Sequence, residues 1–293
     1  MKTAGFSRFS LARAAALVAV AGIVLCGQAF AQTTYYWDAN DSTAGFGTAG
    51  GTWAAPTTNN STQGWSTSAA GTSAMSGTTT TNATDALNFG TGSAGLALGT
   101  ITVSGTVNAN SLTFGSASGN ITLSGGTITL GGTTPTITTD NTADTISSVL
   151  AGSAGMTKNG TGTLLLTGNN TYTGTTTINA GTLSMTGATI STGSGAVSIA
   201  SGANLIVNNS AASLTLGSIT GAGNFNATVG TYFMMGNIST TGAVNIASGS
   251  AGAGGLRMNN NSGGGNGGSR SITANAITLT GQTGDPFGAG TLT

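Results

Sequence analysis

Residues 157–186 read TKNGTGTLLLTGNNTYTGTTTINAGTLSMT. Short apolar or β-branched runs alternate here with glycine and asparagine turns at nearly even spacing. Leu164-Leu165-Leu166 is followed by Gly168-Asn169-Asn170, then by the run 175–179, then by Ala180-Gly181, then by Leu183-Ser184-Met185. Successive side chains of a strand point to opposite faces, so Leu164 and Leu166, Thr176 and Ile178, and Leu183 and Met185 each face one interior. The intervening glycines permit the tight corners of a coiling chain. This alternation predicts the coils of a β-solenoid.

The same pattern extends outward from the stretch. Ile101 and Val103, Leu112 and Phe114, Ile121 and Leu123, and Ile128 and Leu130 are each separated by one polar residue, which is the spacing of half-buried strands. The octapeptide at 195–202, GAVSIASG, returns at 242–249 as GAVNIASG, and NSLTFGS at 110–116 returns as ASLTLGS at 212–218. Two coils of about 23 residues account for the first offset, within the range of solenoid repeats. No helical periodicity follows the N-terminal segment. The expected fold is all-β: a single-stranded β-helix whose coils occupy 96–293, interrupted at 258–270 by the Gly/Asn-rich loop MNNNSGGGNGGSR.

Residues 1–31 read as a cleaved signal peptide. Lys2, Arg8 and Arg13 precede an apolar stretch at 14–25, and Ala29-Phe30-Ala31 forms an A-x-A cleavage site. The single cysteine, Cys26, falls inside this segment, so the exported chain has no disulfide or thiol chemistry. Residues 32–95 carry all three tryptophans, Trp37, Trp53 and Trp65. Large aromatics at the start of a stacked core suit a cap, because the open end of a solenoid needs an atypical terminal unit. The functional alternative is a platform on which sugar rings stack.

Composition narrows the chemistry. The chain has 51 glycines in 293 residues, 4% charged residues and no histidine. After cleavage only Lys158, Arg257 and Arg270 oppose six aspartates, giving 3 − 6 = −3. Three cations cannot form the basic stripe that nucleic acid requires. General acid–base catalysis draws on His, Glu, Asp, Lys, Tyr and Cys, most of which are scarce or missing here. The expectation is therefore no enzyme, no catalytic residue, no cofactor and no metal site.

Asp140 and Asp144 form the one close acidic pair of the coil region, and they read as a solvated loop with too few ligands for calcium. Lys158 reads as a charge on an exposed edge that discourages aggregation. Asn169, Asn170 and Tyr172 read as turn residues, with a binding face as the alternative. Thr100-Ile101-Thr102 and Thr127-Ile128-Thr129 could belong to an ice-binding threonine face, although their irregular spacing does not bring them into one register.

The opening stretch resembles the autotransporter-associated β-strand repeat, also called the passenger-associated transport repeat. The resemblance runs through Lys158, Gly160, Gly162, Leu164, Leu166, Gly168, Asn170, Thr171, Tyr172, Gly174, Thr177, Ile178, Gly181 and Leu183, and departs at Thr175, where the family usually has a second glycine. It implies the passenger segment of a large surface or secreted bacterial protein, with the repeat assisting translocation and folding at the outer membrane. It implies no catalytic residue. The expected location is the cell surface, outer membrane or extracellular space, with a surface or carbohydrate ligand and the outer-membrane translocation machinery as partners, and with no membrane span in the mature chain. A carbohydrate-active enzyme or carbohydrate-binding module on the same fold is the rival reading. Asp140 or Asp144 beside Lys158 in one open groove would favour that rival.

Overall fold

A computed structural model describes residues 32–186, 195–209, 214–229, 232–235, 237–248, 255–256 and 272–280. The expected signal peptide at 1–31 and loop at 258–270 lie outside these residues, as do Arg257 and Arg270. Every described element is a strand, and nearly all pairing is parallel.

The strands line up on three faces. Face I is an eleven-stranded sheet, face II a ten-stranded sheet, and face III consists of two three-stranded sheets. One coil shows the path: Gly99–Val103 on face II, Thr106–Ala109 on face III, Ser111–Phe114 on face I, and then Ile121–Ser124 back on face II. Each strand bonds to its counterpart one coil away, which makes this a single-stranded β-helix. Registry is continuous. On face I Leu112 pairs with Ile137 and Lys158 with Ile178, 25 and 20 residues on. Near the end of the described chain Ile246 pairs with Leu279, 33 residues on, a span that contains 258–270.

Alternation places the core inside the coil. On face II one inward column runs Ile121, Asp144, Leu164, Leu183, Leu205, Phe225, and the next runs Ile101, Leu123, Ile146, Leu166, Met185, Val207. The ten inward residues expected from the sequence, Ile101, Val103, Leu112, Phe114, Ile121, Leu123, Leu164, Leu166, Ile178 and Leu183, are all buried. Burying each such side chain fully is worth about 1.5–3 kcal/mol, so like-on-like stacking is the main source of cohesion between coils.

The repeated peptides do not mark equivalent positions. Val197–Ile199 of GAVSIASG lies on face I, whereas Ala243–Ser248, which holds its second copy, lies on face II. Likewise Ser111–Phe114 is on face I and Leu214–Leu216 on face III. Two coils on face I span only 41 residues here, from Val197 through Ile219 to Ile238. The remainder of the 47-residue offset carries the copy around a corner. All faces ask for the same in-out alternation, so one string serves on any of them.

The first end of the stack is closed by aromatic rings. Gly64–Ser66 pairs antiparallel with Thr34–Asp38, with Trp65 opposite Trp37. Trp65 meets Trp37 and Trp53 edge-on at centroid distances of 4.9 and 5.4 Å, and Phe89 stacks on Phe114 at 5.1 Å. Trp37 and Trp53 are fully buried and donate their indole N–H to Gly50 O and Thr81 Oγ1. Rings held this way cover a core and offer no platform to a sugar. Parallel pairing on face I already begins within 32–95, with Thr34–Asp38 against Ala86–Phe89 and the latter against Ser111–Phe114.

Candidate functional site

Among the described residues from 96 onward, the charged side chains are Asp140, Asp144 and Lys158, and they lie at or beside the corner that joins face I to face II. After the strands Thr136–Thr139, Met156–Asn159 and Thr176–Ile178 the chain turns in three residues, 140–142, 160–162 and 179–181. The two preceding corners are longer, 90–98 and 115–120. Gly181 shows what the short corner demands. Its φ is +64°, and a β-carbon there would collide with Gly162 O of the coil before.

Lys158 is fully buried, contrary to its expected place on an exposed edge. Its strand reads Met156-Thr157-Lys158-Asn159, and alternation puts Lys158 inward with Met156. It occupies a column whose adjacent members are Ile137 and Ile178. The long stem packs in that column while Nζ reaches the corner. There it donates to Asn159 O at 2.7 Å, Gly160 O at 2.9 Å and Ala180 O at 3.4 Å. All three ammonium hydrogens thus go to carbonyls, and the last contact ties one coil to the next. Desolvation lowers its pKa from 10.5 to about 8, against the pull of Asp140 and Asp144.

Asp144 is buried as well, which corrects its expected place in a solvated loop. The strand Ala143–Ile146 gives it the same inward parity as Ile146, between Ile121 and Leu164 of neighbouring coils. Its Oδ1 accepts from Ile121 N at 2.8 Å and Asn141 Nδ2 at 2.9 Å, while Oδ2 has no partner. Desolvation raises its pKa from 3.8 to about 6, opposed by those two hydrogen bonds and by the Lys158 charge. Asn141, also buried, donates its second amide hydrogen to Gly119 O at 2.8 Å, and its Oδ1 is unpaired. Asp140 stays exposed.

Asp140, Asp144 and Lys158 therefore do share one corner, but not as a set open to a substrate. Asp140 lines a polar groove of about 420 Å³ together with Ser116, Ser118, Asn141, Thr142 and Thr161. Asp144 and Lys158 are buried beside this corner. Among the described residues no three acidic, histidine or cysteine side chains gather as a metal cluster.

The turn after Leu166 is the other local departure. Residues 167–175 form no strand, so face III is interrupted there. Asn170 Oδ1 accepts from Leu150 N at 2.9 Å, capping the last strand of the first face III sheet, Val149–Ala151. Thr171 N and Tyr172 N bond to Leu150 O, and Thr173 N to Gly152 O. Tyr172 is fully buried, with its hydroxyl 3.0 Å from Thr176 Oγ1. Burial pushes its pKa up to about 12. These side chains build the turn, and of the three expected turn residues only Asn169 faces solvent.

Residues 156–185 match the passenger-associated transport repeat family. The chain carries a passenger-associated transport repeat. In the structure that repeat is one coil plus the start of the next: the face I strand with Lys158, the face II strand Thr163–Leu166, the turn capped by Asn170 and Tyr172, and the next two strands. The chain is also similar to the adhesin BmaC autotransporter of Brucella suis biovar 1 (strain 1330), with 38% identity over 199 residues. That alignment covers 68% of this chain and 5% of the relative, so the chain spans only a small part of the relative's length. No solved structure matches the chain.

Sequence reasoning missed a feature of face I. An outward column of hydroxyls runs in register through Ser111, Thr136, Thr157, Thr177, Ser198, Thr220, Ser239 and Thr273. The two threonine tripeptides lie elsewhere, Thr100 and Thr102 on face II and Thr127 and Thr129 on face III. Coil lengths vary, so the ladder is invisible as a fixed sequence period.

Proposed function

We propose that this chain is a passenger-type, adhesin-like segment of a large exported bacterial surface protein. It acts without catalysis, and its repeat assists translocation and folding at the outer membrane. The observation that carries the reading is the repeat at 156–185 built into the parallel sheets of faces I and II, which continue through it on both sides. The similarity to an autotransporter adhesin supports it. Coils of a solenoid contact only their neighbours, so each emerging coil can fold on the one before without waiting for distant contacts. The groups with shifted pKa in the coils are buried and hydrogen-bonded as structure, which supports a role without catalysis. Among the described residues no helix is long and apolar enough to cross a membrane. We further propose export by the N-terminal signal to the cell surface, and contact there with a surface or carbohydrate ligand.

The test is a coil deletion in the full precursor. Thr157 and Thr177 are register partners, so removing 157–176 takes out one coil and keeps registry. A control removing 198–219 does the same elsewhere, because Ser198 pairs with Thr220. Surface-accessible passenger, measured by protease shaving of intact cells, should fall severalfold for the first deletion and stay near wild type for the second. Equal display of both would overturn the role given to the repeat. Failure of cells displaying the intact chain to attach to any host or abiotic surface better than cells without it would overturn the adhesin reading.

A further inference from the structure

We infer that the groove at the corner between faces I and II is a binding subsite for a saccharide unit, which deepens the adhesin reading and rests on it. The groove arises from a step in corner length. The corner at 115–120 has six residues and those at 140–142 and 160–162 have three, so the longer loop overhangs the shorter ones. Asn141 fixes the overhang by donating to Gly119 O. Ser118 holds its own loop by donating to Phe89 O at 2.9 Å and accepting from Leu96 N at 3.1 Å. Of the lining side chains Asn141 is buried, Ser118 half-buried and the others exposed, and the space is about 420 Å³, within the range of roughly 300–1,000 Å³ for small-ligand clefts.

The lining selects the ligand. Exposed Ser116, Thr142 and Thr161 offer hydroxyls that donate or accept, and exposed Asp140 offers a carboxylate acceptor. No large apolar or aromatic side chain lines the groove, which removes the basis for a hydrophobic ligand. A carboxylate at its edge opposes an anion. A hard cation needs six or more oxygens, whereas one exposed carboxylate stands here, interacting with the buried Lys158 ammonium. An excess of acceptors matched by a few hydroxyls fits a neutral ligand that presents several hydroxyl donors close together, which is the chemistry of a sugar ring.

The experiment uses the exported chain and four neutral disaccharides, maltose, lactose, cellobiose and chitobiose, each followed by saturation-transfer NMR. Asp140→Ala removes the acceptor, Thr161→Arg fills the groove, and Thr138→Ala on face I serves as control. The altered groove residues are exposed, and unchanged thermal unfolding verifies the fold. At least one disaccharide should show transfer that weakens tenfold or more in Asp140→Ala, vanishes in Thr161→Arg and persists in the control. No transfer from any of the four, or transfer retained in Thr161→Arg, overturns the inference. So does a calcium-induced rise in Tm that Asp140→Ala abolishes, which would make the groove a cation site. Cell attachment that survives Thr161→Arg, together with sugar transfer retained there, retires the groove and leaves the adhesin reading standing. Groove-dependent transfer without any attachment by displaying cells retires the adhesin reading alone.

Discussion

Acidification should stabilise this protein between pH 7.5 and pH 4.5, the reverse of ordinary acid denaturation. Two buried carboxyls drive the effect. Asp144 is raised from 3.8 to about 6 chiefly by desolvation. Asp38, at the aromatic cap, is raised to about 6 by desolvation and by the nearby Asp41 charge, against a hydrogen bond from Asn40 N. A carboxyl whose folded pKa lies above its unfolded one binds a proton more tightly in the folded state. Its stabilising contribution is complete below 3.8 and is lost as pH rises through about 6. With these values each carboxyl contributes about 2 kcal/mol more stability at pH 4.5 than at pH 7.5. Urea unfolding followed by two probes separates them. Tryptophan fluorescence reports the cap, where Asp38 adjoins Trp37, and far-UV circular dichroism reports the coils around Asp144. Asp144→Asn keeps an acceptor for Ile121 N and Asn141 Nδ2 but removes the titration. The acid gain read by circular dichroism should then shrink by about 2 kcal/mol, while that read by fluorescence remains. A urea midpoint that is constant or falls on acidification, or a full gain retained in Asp144→Asn, would refute the reasoning.

Lys158 predicts the mirror effect on the alkaline side. A lysine lowered to about 8 regains stability as pH rises, by about 2 kcal/mol from pH 7.5 to 9.5, and Lys158→Met should abolish this gain in the same urea assay. Leu166→Asp should cost several kcal/mol, since a carboxylate would replace a side chain 1% exposed in the column Ile146, Leu166, Met185; a loss under 1 kcal/mol by calorimetry would contradict the assigned interior. Gly181→Ala should destabilise by at least about 1–2 kcal/mol, because the residue sits at positive φ against backbone, and a neutral result would show that the corner relaxes freely. Trp53→Ala should cost about 3–5 kcal/mol by opening a cavity in the cap, seen as earlier loss of the Trp37 and Trp65 fluorescence signal.

The alternation of apolar and small polar residues, with glycine at the corners, determined by itself that this chain forms stacked strands with Leu164, Leu166, Ile178 and Leu183 inside. Strand parity is local, so it can be read without knowing what lies across the core. The same parity also pointed Asp144 inward with Ile146 and Lys158 inward with Met156. Charge argued for solvent, and it gave the wrong answer, because the cost of burial is offset by local partners at the turn, Asn141 for the carboxylate and the Asn159 and Gly160 carbonyls for the ammonium, together with Ile121 N and Ala180 O, which only folding brings in from neighbouring coils. Tertiary structure alone decided the rest. Coils differ in length by several residues, so which side chains become neighbours on a face depends on how each corner is taken up. For that reason the hydroxyl column from Ser111 to Thr273, the separation of the repeated peptides onto different faces, and the groove under the 115–120 corner have no signature at a fixed sequence interval. They follow from the parallel hydrogen-bond ladder, which fixes register between coils whatever the length of chain between them.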